Sequence, residues 1–136
     1  MKYSLLLVVP LLLVAGCTSQ TYGTEGAQDQ QASAGPSIKI VSPQDGAVIT
    51  GTSTIGIRVN VTGIRLIDVP ADGQNRDGYG HVSYFLDGQT EHKSPYITDS
   101  FANVAKGVHT IRAELRNNDD SPLVIPIYDE VTVTVV

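Results

Sequence analysis

The 136-residue chain has one cysteine, one methionine, two phenylalanines and no tryptophan. With Cys17 alone, no disulfide can form within the chain, and iron–sulfur clusters held by several cysteine thiolates are excluded. Charge is sparse, with 9 Lys+Arg against 14 Asp+Glu and a net charge of −5. No basic run is present, so the electrostatic footprint that nucleic acid requires is missing. The acidic balance also disfavours lying flat on anionic lipid. Long hydrophobic runs are missing too. The apolar stretch from Leu5 to Ala15, interrupted by Pro10, is too short to cross a bilayer as a permanent helix.

Catalytic signatures are equally scarce. There is no Gly-x-Ser-x-Gly nucleophile elbow, and no carboxylate pair stands in a recognisable glycosidase setting. No window carries a helical stripe of apolar residues; Phe101 to Lys106 has room for one short turn. These absences leave a non-catalytic protein built from strands as the expectation.

What the chain does contain begins with an export signal. Lys2 supplies the positive end, Leu5–Ala15 the apolar segment, and Val14-Ala15-Gly16 the small residues before Cys17. Leu13-Val14-Ala15-Gly16-Cys17 resembles the lipobox of prokaryotic lipoproteins. That resemblance implies cleavage after Gly16 and a diacylglyceryl group on the Cys17 sulfur, with membrane attachment through two or more acyl chains. The expected location is a cell membrane, with the chain facing the periplasm or the exterior. In a Gram-negative cell, Thr18 after the cysteine resembles the pattern sorted to the outer membrane.

From Thr18 to Pro36 the composition turns to Thr, Ser, Gln, Gly and Ala. Such a stretch cannot bury a core and is read as a tether. As a flexible coil, it would span roughly 24 Å, taking about 5–6 Å times the square root of its length. The expected organisation is therefore 1–16 signal peptide, 17–36 lipidated cysteine and linker, and 37–136 one folded domain.

In that domain the apolar residues alternate. Ile38 and Ile40 are followed by Ile55, Ile57, Val59 and Val61, then by Ile111, Ala113 and Leu115, and finally by Val131, Val133 and Val135. Period two in β-branched residues is the mark of half-buried strands. Asp45-Gly46, Asp72-Gly73, Asp77-Gly78, Asp87-Gly88 and Asn117–Asp120 supply the turns. Many short strands with regular turns predict an all-β antiparallel sandwich of about seven to eight strands. The order of Ile38-x-Ile40-x-x-Pro43-x-x-Gly46, the Ile55 strand, Val82–Gly88, Ser94-Pro95-Tyr96 and Gly107–Ile111 resembles bacterial immunoglobulin-like (Big-type) domains. That likeness implies a spacer or binding module. A narrower likeness, over Val69–Asp87, is to small domains of unknown function with a Gly-His-x-His strand, in which Ser83 here replaces the second histidine.

Candidate sites follow from the expected pairing. A two-residue turn at Asp87-Gly88 pairs Leu86 with Gln89 and sets Ser83 opposite His92. Val82, Tyr84 and Leu86 then face the core, and His81, Ser83 and Phe85 face outward. His81 and His92 fall diagonal on the exposed face, about 7–8 Å apart, where two neutral imidazoles could share copper or zinc. His109, in register with Ile111, is expected to point inward as a buried corner residue bonded to backbone, with no acid partner visible. The Asp68–Gly80 loop is polar and long, and its carboxylates and carbonyls are a calcium candidate without EF-hand spacing. Functional contacts concentrate on such loops. Asp72, Asn75, Asp77 and Tyr79, with Phe85 on the sheet, are therefore the expected partner-binding residues, and an envelope protein or polysaccharide is the expected partner. Asn60-Val61-Thr62 is an N-glycosylation pattern.

Overall fold

The computed structural model describes residues 35–70 and 72–136. The expected signal peptide, Cys17 and most of the expected linker lie outside the described residues. Among the described residues nine strands run in order: β1 (Ser37–Ser42), β2 (Ala47–Ile49), β3 (Ile55–Thr62), β4 (Arg65–Leu66), β5 (Tyr79–Leu86), β6 (Thr90–Ser94), β7 (Thr98–Phe101), β8 (Gly107–Asn117) and β9 (Pro122–Val135). They form the expected all-β sandwich, with β2 and β4 as two short additions. Among the described residues no helix is long and apolar enough to cross a membrane.

One sheet has the order β1-β3-β7, and the other β2-β9-β8-β5-β4 with β6 also paired to β5. The alternation read in the sequence supplies the facing surfaces. Ile38, Ile40, Ile55, Ile57 and Val59 come from the smaller sheet. Val82, Tyr84, Ile111, Ala113, Leu115, Val131, Val133 and Val135 come from the larger. All are buried, and removing such surface from water is the main favourable term. Leu86, expected in the core, is half-buried at its margin.

Local polar bonds hold the sheets in place. After β1 the chain turns at Gly46, whose φ of 77° suits a residue without Cβ. It then enters the other sheet, where β2 pairs parallel to β9. The turn is fastened by the Gly46 N–H on the Thr132 carbonyl at 2.7 Å and by the Thr132 N–H on Asp45 Oδ1 at 2.8 Å. Across the sandwich, Asp129 Oδ2 on β9 accepts the Ile40 N–H at 2.8 Å and pairs with Lys39 Nζ at 3.0 Å.

The registers define two ends. Ser37 pairs with Thr62, and β3 leads directly to β4, where Arg65 pairs with Tyr79. Gly80 in turn pairs with Asn117. The entry of the chain at Gly35, the 67–78 loop and the β8–β9 turn therefore share one end of the sandwich. A Cβ on Gly63 would lie 2.8 Å from the Gly35 backbone, so the entering chain is packed closely there. The β5–β6 turn, the start of β8 and the end of β9 lie at the opposite end.

Candidate functional site

Along β5, the outward positions are Tyr79, His81, Ser83 and Phe85, because Val82 and Tyr84 are fully buried in the core. On β8 the neighbours of His81, Ser83 and Phe85 are Arg116, Glu114 and Arg112. Across β9, Tyr128 stands opposite Glu114, and Glu130 opposite Arg112. From β6, Lys93 pairs with Ser83 and Glu91 with Phe85. The outer face of the larger sheet is thus a ladder of aromatic and charged side chains.

Its central cation is Arg112. The guanidinium carbon sits 3.7 Å from the Tyr128 ring centroid, a cation–π contact, while Nη2 donates to Glu114 Oε2 at 2.6 Å. Arg116 Nε reaches the other Glu114 oxygen at 3.4 Å. Two guanidinium groups therefore hold one nearly buried carboxylate. Phe85, Gly88, Arg112 and Glu114 line a shallow pocket of about 170 Å³. The Tyr128 side of the face is open to solvent.

The metal site expected from His81 and His92 does not assemble. The β5–β6 connection is a three-residue loop, Asp87-Gly88-Gln89, with φ of 53° at Asp87 and 69° at Gly88. Leu86 pairs with Thr90, Tyr84 with His92 and Ser83 with Lys93. A one-residue change of register moves a side chain to the opposite face, so His92 shares the face of Tyr84 rather than that of His81. It packs its ring 4.6 Å from that of Phe101 and sets Nδ1 3.2 Å from Asp99 Oδ1, linking the edge strands of the two sheets. His81 is fully buried rather than exposed. Its Nε2 lies 3.3 Å from Asp120 Oδ1 without hydrogen-bond alignment, and among the described residues neither ring nitrogen nor Ser83 Oγ has a partner. Burial lowers its pKa below the usual histidine value; Asp120 opposes the shift, and Lys93 and Arg116 add to it. Asp120 is bound in turn to Lys93. Among the described residues, no three His, Cys, Asp or Glu side chains converge as metal ligands.

His109 is tucked in at the far end of the sandwich and does bond to backbone, but it also has the acid partner that sequence reasoning missed. Nδ1 is 2.8 Å from Asp87 Oδ2, and Nε2 is 2.8 Å from the Ala105 carbonyl. The Asp87 hydrogen bond, followed by that to Ala105, raises its pKa. For Asp87, burial pushes the carboxyl upward, but bonds from His109 and the Thr110 N–H outweigh it and lower the pKa. The sequence held the cue in Asp87, read there as a turn residue.

The 67–78 loop is hydrogen-bonded along its length. Asp72 Oδ1 accepts the Gln74 N–H and Oδ2 accepts from Arg76 Nη2 at 2.9 Å. Asn118, fully buried and read in the sequence as part of the Asn117–Asp120 turn, accepts the Arg76 N–H at 2.7 Å and donates to the Gln74 carbonyl at 2.6 Å. Asp72, Asn75 and Asp77 are exposed. Tyr79 is half-buried, with Arg65 5.8 Å from its ring centroid. Tyr79 and Phe85 share one face of β5, roughly 20 Å apart at about 3.3 Å per residue. Asn60 is exposed on β3, opposite Lys39.

No protein-family model matches the sequence, and no curated protein matches it. Among solved structures, the chain is similar to the fibronectin(III)-like modules of Clostridium thermocellum CbhA, with a TM-score of 0.50 and 20% identity over 72% of this chain and 93% of that one. It also matches an endo-β-1,4-mannanase from Thermotoga petrophila, with a TM-score of 0.49 and 13% identity over 74% of this chain and 20% of that one. A Jonesia denitrificans lytic polysaccharide monooxygenase gives a TM-score of 0.43 at 20% identity, over 69% of this chain and 60% of that one. The first likeness shows the fold alone, an immunoglobulin-like β-sandwich.

Proposed function

We propose that this chain is a non-catalytic binding module of the cell envelope, held to a membrane by lipid on Cys17 and engaging its partner through the outer face of the larger sheet. The observation that carries this reading is the Phe85–Arg112–Glu114–Tyr128 cluster. Arg112 is paired with Glu114 and stacked on Tyr128, the aromatic rings are partly open, and a shallow pocket lies beside Phe85. Aromatic and arginine side chains on a rigid surface are the groups that most often dominate protein recognition, and fixed carboxylate and guanidinium groups also suit sugar hydroxyls. An envelope protein or a polysaccharide is the partner class that fits such a face. Attachment at Cys17 agrees with the lipobox-like sequence, and the tether would bring the module within reach of either partner.

The test is crosslinked capture of envelope components by the full chain and by a Phe85→Ala, Arg112→Ala double variant. Capture is expected to weaken at least about tenfold, or about 1.4 kcal/mol, with thermal stability retained. Equal capture by a stably folded double variant would remove this face from consideration. Mass measurement of Cys17 in membrane-purified protein tests the anchor separately.

A further inference from the structure

At its start, β9 leaves the ladder. Leu115 pairs with Ile127, but the next residue of β8, Arg116, pairs with Pro122. Residues 123–126 therefore project from the sheet as a bulge. Val124 is 102% exposed and Ile125 75%, and Pro126 beside them is exposed as well. Leu123 and Ile127 on either side pack against the core, so the tip is held at both its ends. Among the described residues β9 is covered on this side only by β2 at Val133–Val135, leaving this stretch as the bare edge of the larger sheet. Fully exposed apolar residues presented together on a rigid support mark an interaction surface.

The place of the tip in the fold says what covers it. Pro122 lies at the end of the sandwich where the chain enters at Gly35, as the pairings Ser37–Thr62, Arg65–Tyr79, Gly80–Asn117 and Arg116–Pro122 establish. If the chain is anchored through Cys17, that end is the one brought nearest the membrane. A tether spanning roughly 24 Å keeps it at high effective concentration there. We propose that the Val124-Ile125-Pro126 tip seats in the lipid surface. This inference rests on the lipid-anchored reading. From Pro122 to Tyr128 no residue is charged, while the adjoining turn carries Asp119 and Asp120. Burial of apolar surface, rather than attraction to anionic headgroups, therefore drives the contact, and added salt does not release it. Lipid contact at this end stands the module upright and leaves the Phe85 pocket, toward the opposite end, free for a partner.

The chain has no tryptophan, so Ile125→Trp provides a single fluorescent reporter, and Val108→Trp, at an exposed position of the far end, provides its control. Each variant is purified as the mature membrane protein and reconstituted into phosphatidylcholine vesicles with and without brominated acyl chains. Emission from the Ile125→Trp variant is expected to shift to shorter wavelength and to be quenched by the brominated lipid in low and high salt. The indole of the Val108→Trp variant stays water-exposed. Acylated Cys17 with both reporters in water overturns lipid docking and leaves the anchor intact. A Cys17 without acyl groups, in a chain that does not partition into vesicles, overturns the anchor and this inference with it. A concentration-dependent blue shift of the tip reporter without lipid, in an Ile125→Trp chain that also carries Cys17→Ser, assigns the tip to a second copy and overturns the lipid assignment.

Discussion

Both ring nitrogens of His109 face acceptors, Asp87 Oδ2 and the Ala105 carbonyl, so only the imidazolium fills both. Its folded pKa is raised. Its contribution to stability is therefore complete below the ordinary histidine value and fades as pH rises through the folded one. Asp87, with a lowered pKa, contributes above the ordinary carboxylate value and loses that contribution as acid protonates it. The pair is consequently strongest in the interval between the two. His81 titrates the other way. Buried with lowered pKa, it favours the folded state above the ordinary histidine value and opposes it as pH falls, because the charged ring has no aligned acceptor. Thermal denaturation of His109→Gln should show a larger loss against the parent at about pH 5.5 than at about pH 8.5. His81→Leu should lose less stability than the parent between about pH 7 and about pH 5. Nuclear magnetic resonance titration of the two imidazoles checks the assignments directly, with His109 above and His81 below the ordinary value. The reverse order would remove the account of both.

At the scale of elements, the alternating runs were legible because period two fixes which residues of a strand face a core. Ile38/Ile40, Ile55/Ile57/Val59, Ile111/Ala113/Leu115 and Val131/Val133/Val135 all lie where that pattern puts them. Pairing between strands was less legible. Asp87-Gly88 is compatible with loops of two or three residues, and the difference of one residue places His92 on the opposite side of the sheet from His81. The Asp87–His109 and Asn118–loop contacts join residues far apart in sequence, and no local pattern announces such contacts. The apolar tip left a trace in Pro122-Leu123-Val124-Ile125-Pro126, since two prolines so close together are foreign to the interior of a paired strand. Asn118 offers the sharpest test of an element held from a distance. Its side chain serves two backbone groups of the 67–78 loop in a fully buried position. Asn118→Ala leaves the Arg76 N–H and the Gln74 carbonyl without those partners, at a cost of about 1–3 kcal/mol. Hydrogen exchange should accelerate at residues 73–79 while the core strands keep their relative protection. Unchanged exchange in the loop would mean that the turn bonds of Asp72 and Gly73 hold it without Asn118.

For the whole molecule, the positions of the ends matter more than any single contact. The chain enters beside the 67–78 loop, whereas the Phe85 pocket lies close to the β5–β6 turn, toward the other end. β5 alone separates Tyr79 from Phe85 by roughly 20 Å, so an anchored and upright module carries its pocket at least that far above the end facing the lipid. If residues 18–36 act as the proposed tether, they set how much farther the pocket can reach. Deleting residues 20–31 would shorten the tether's span by more than a third on a square-root dependence. The folded sandwich should keep its melting temperature, because the deletion ends before β1 begins at Ser37. Crosslinking to a partner in the wall or periplasm should then fall, while binding of the same partner to the detergent-solubilised chain stays constant. Equal crosslinking before and after the deletion would instead put the partner at the membrane surface itself, within reach of the sandwich without its tether.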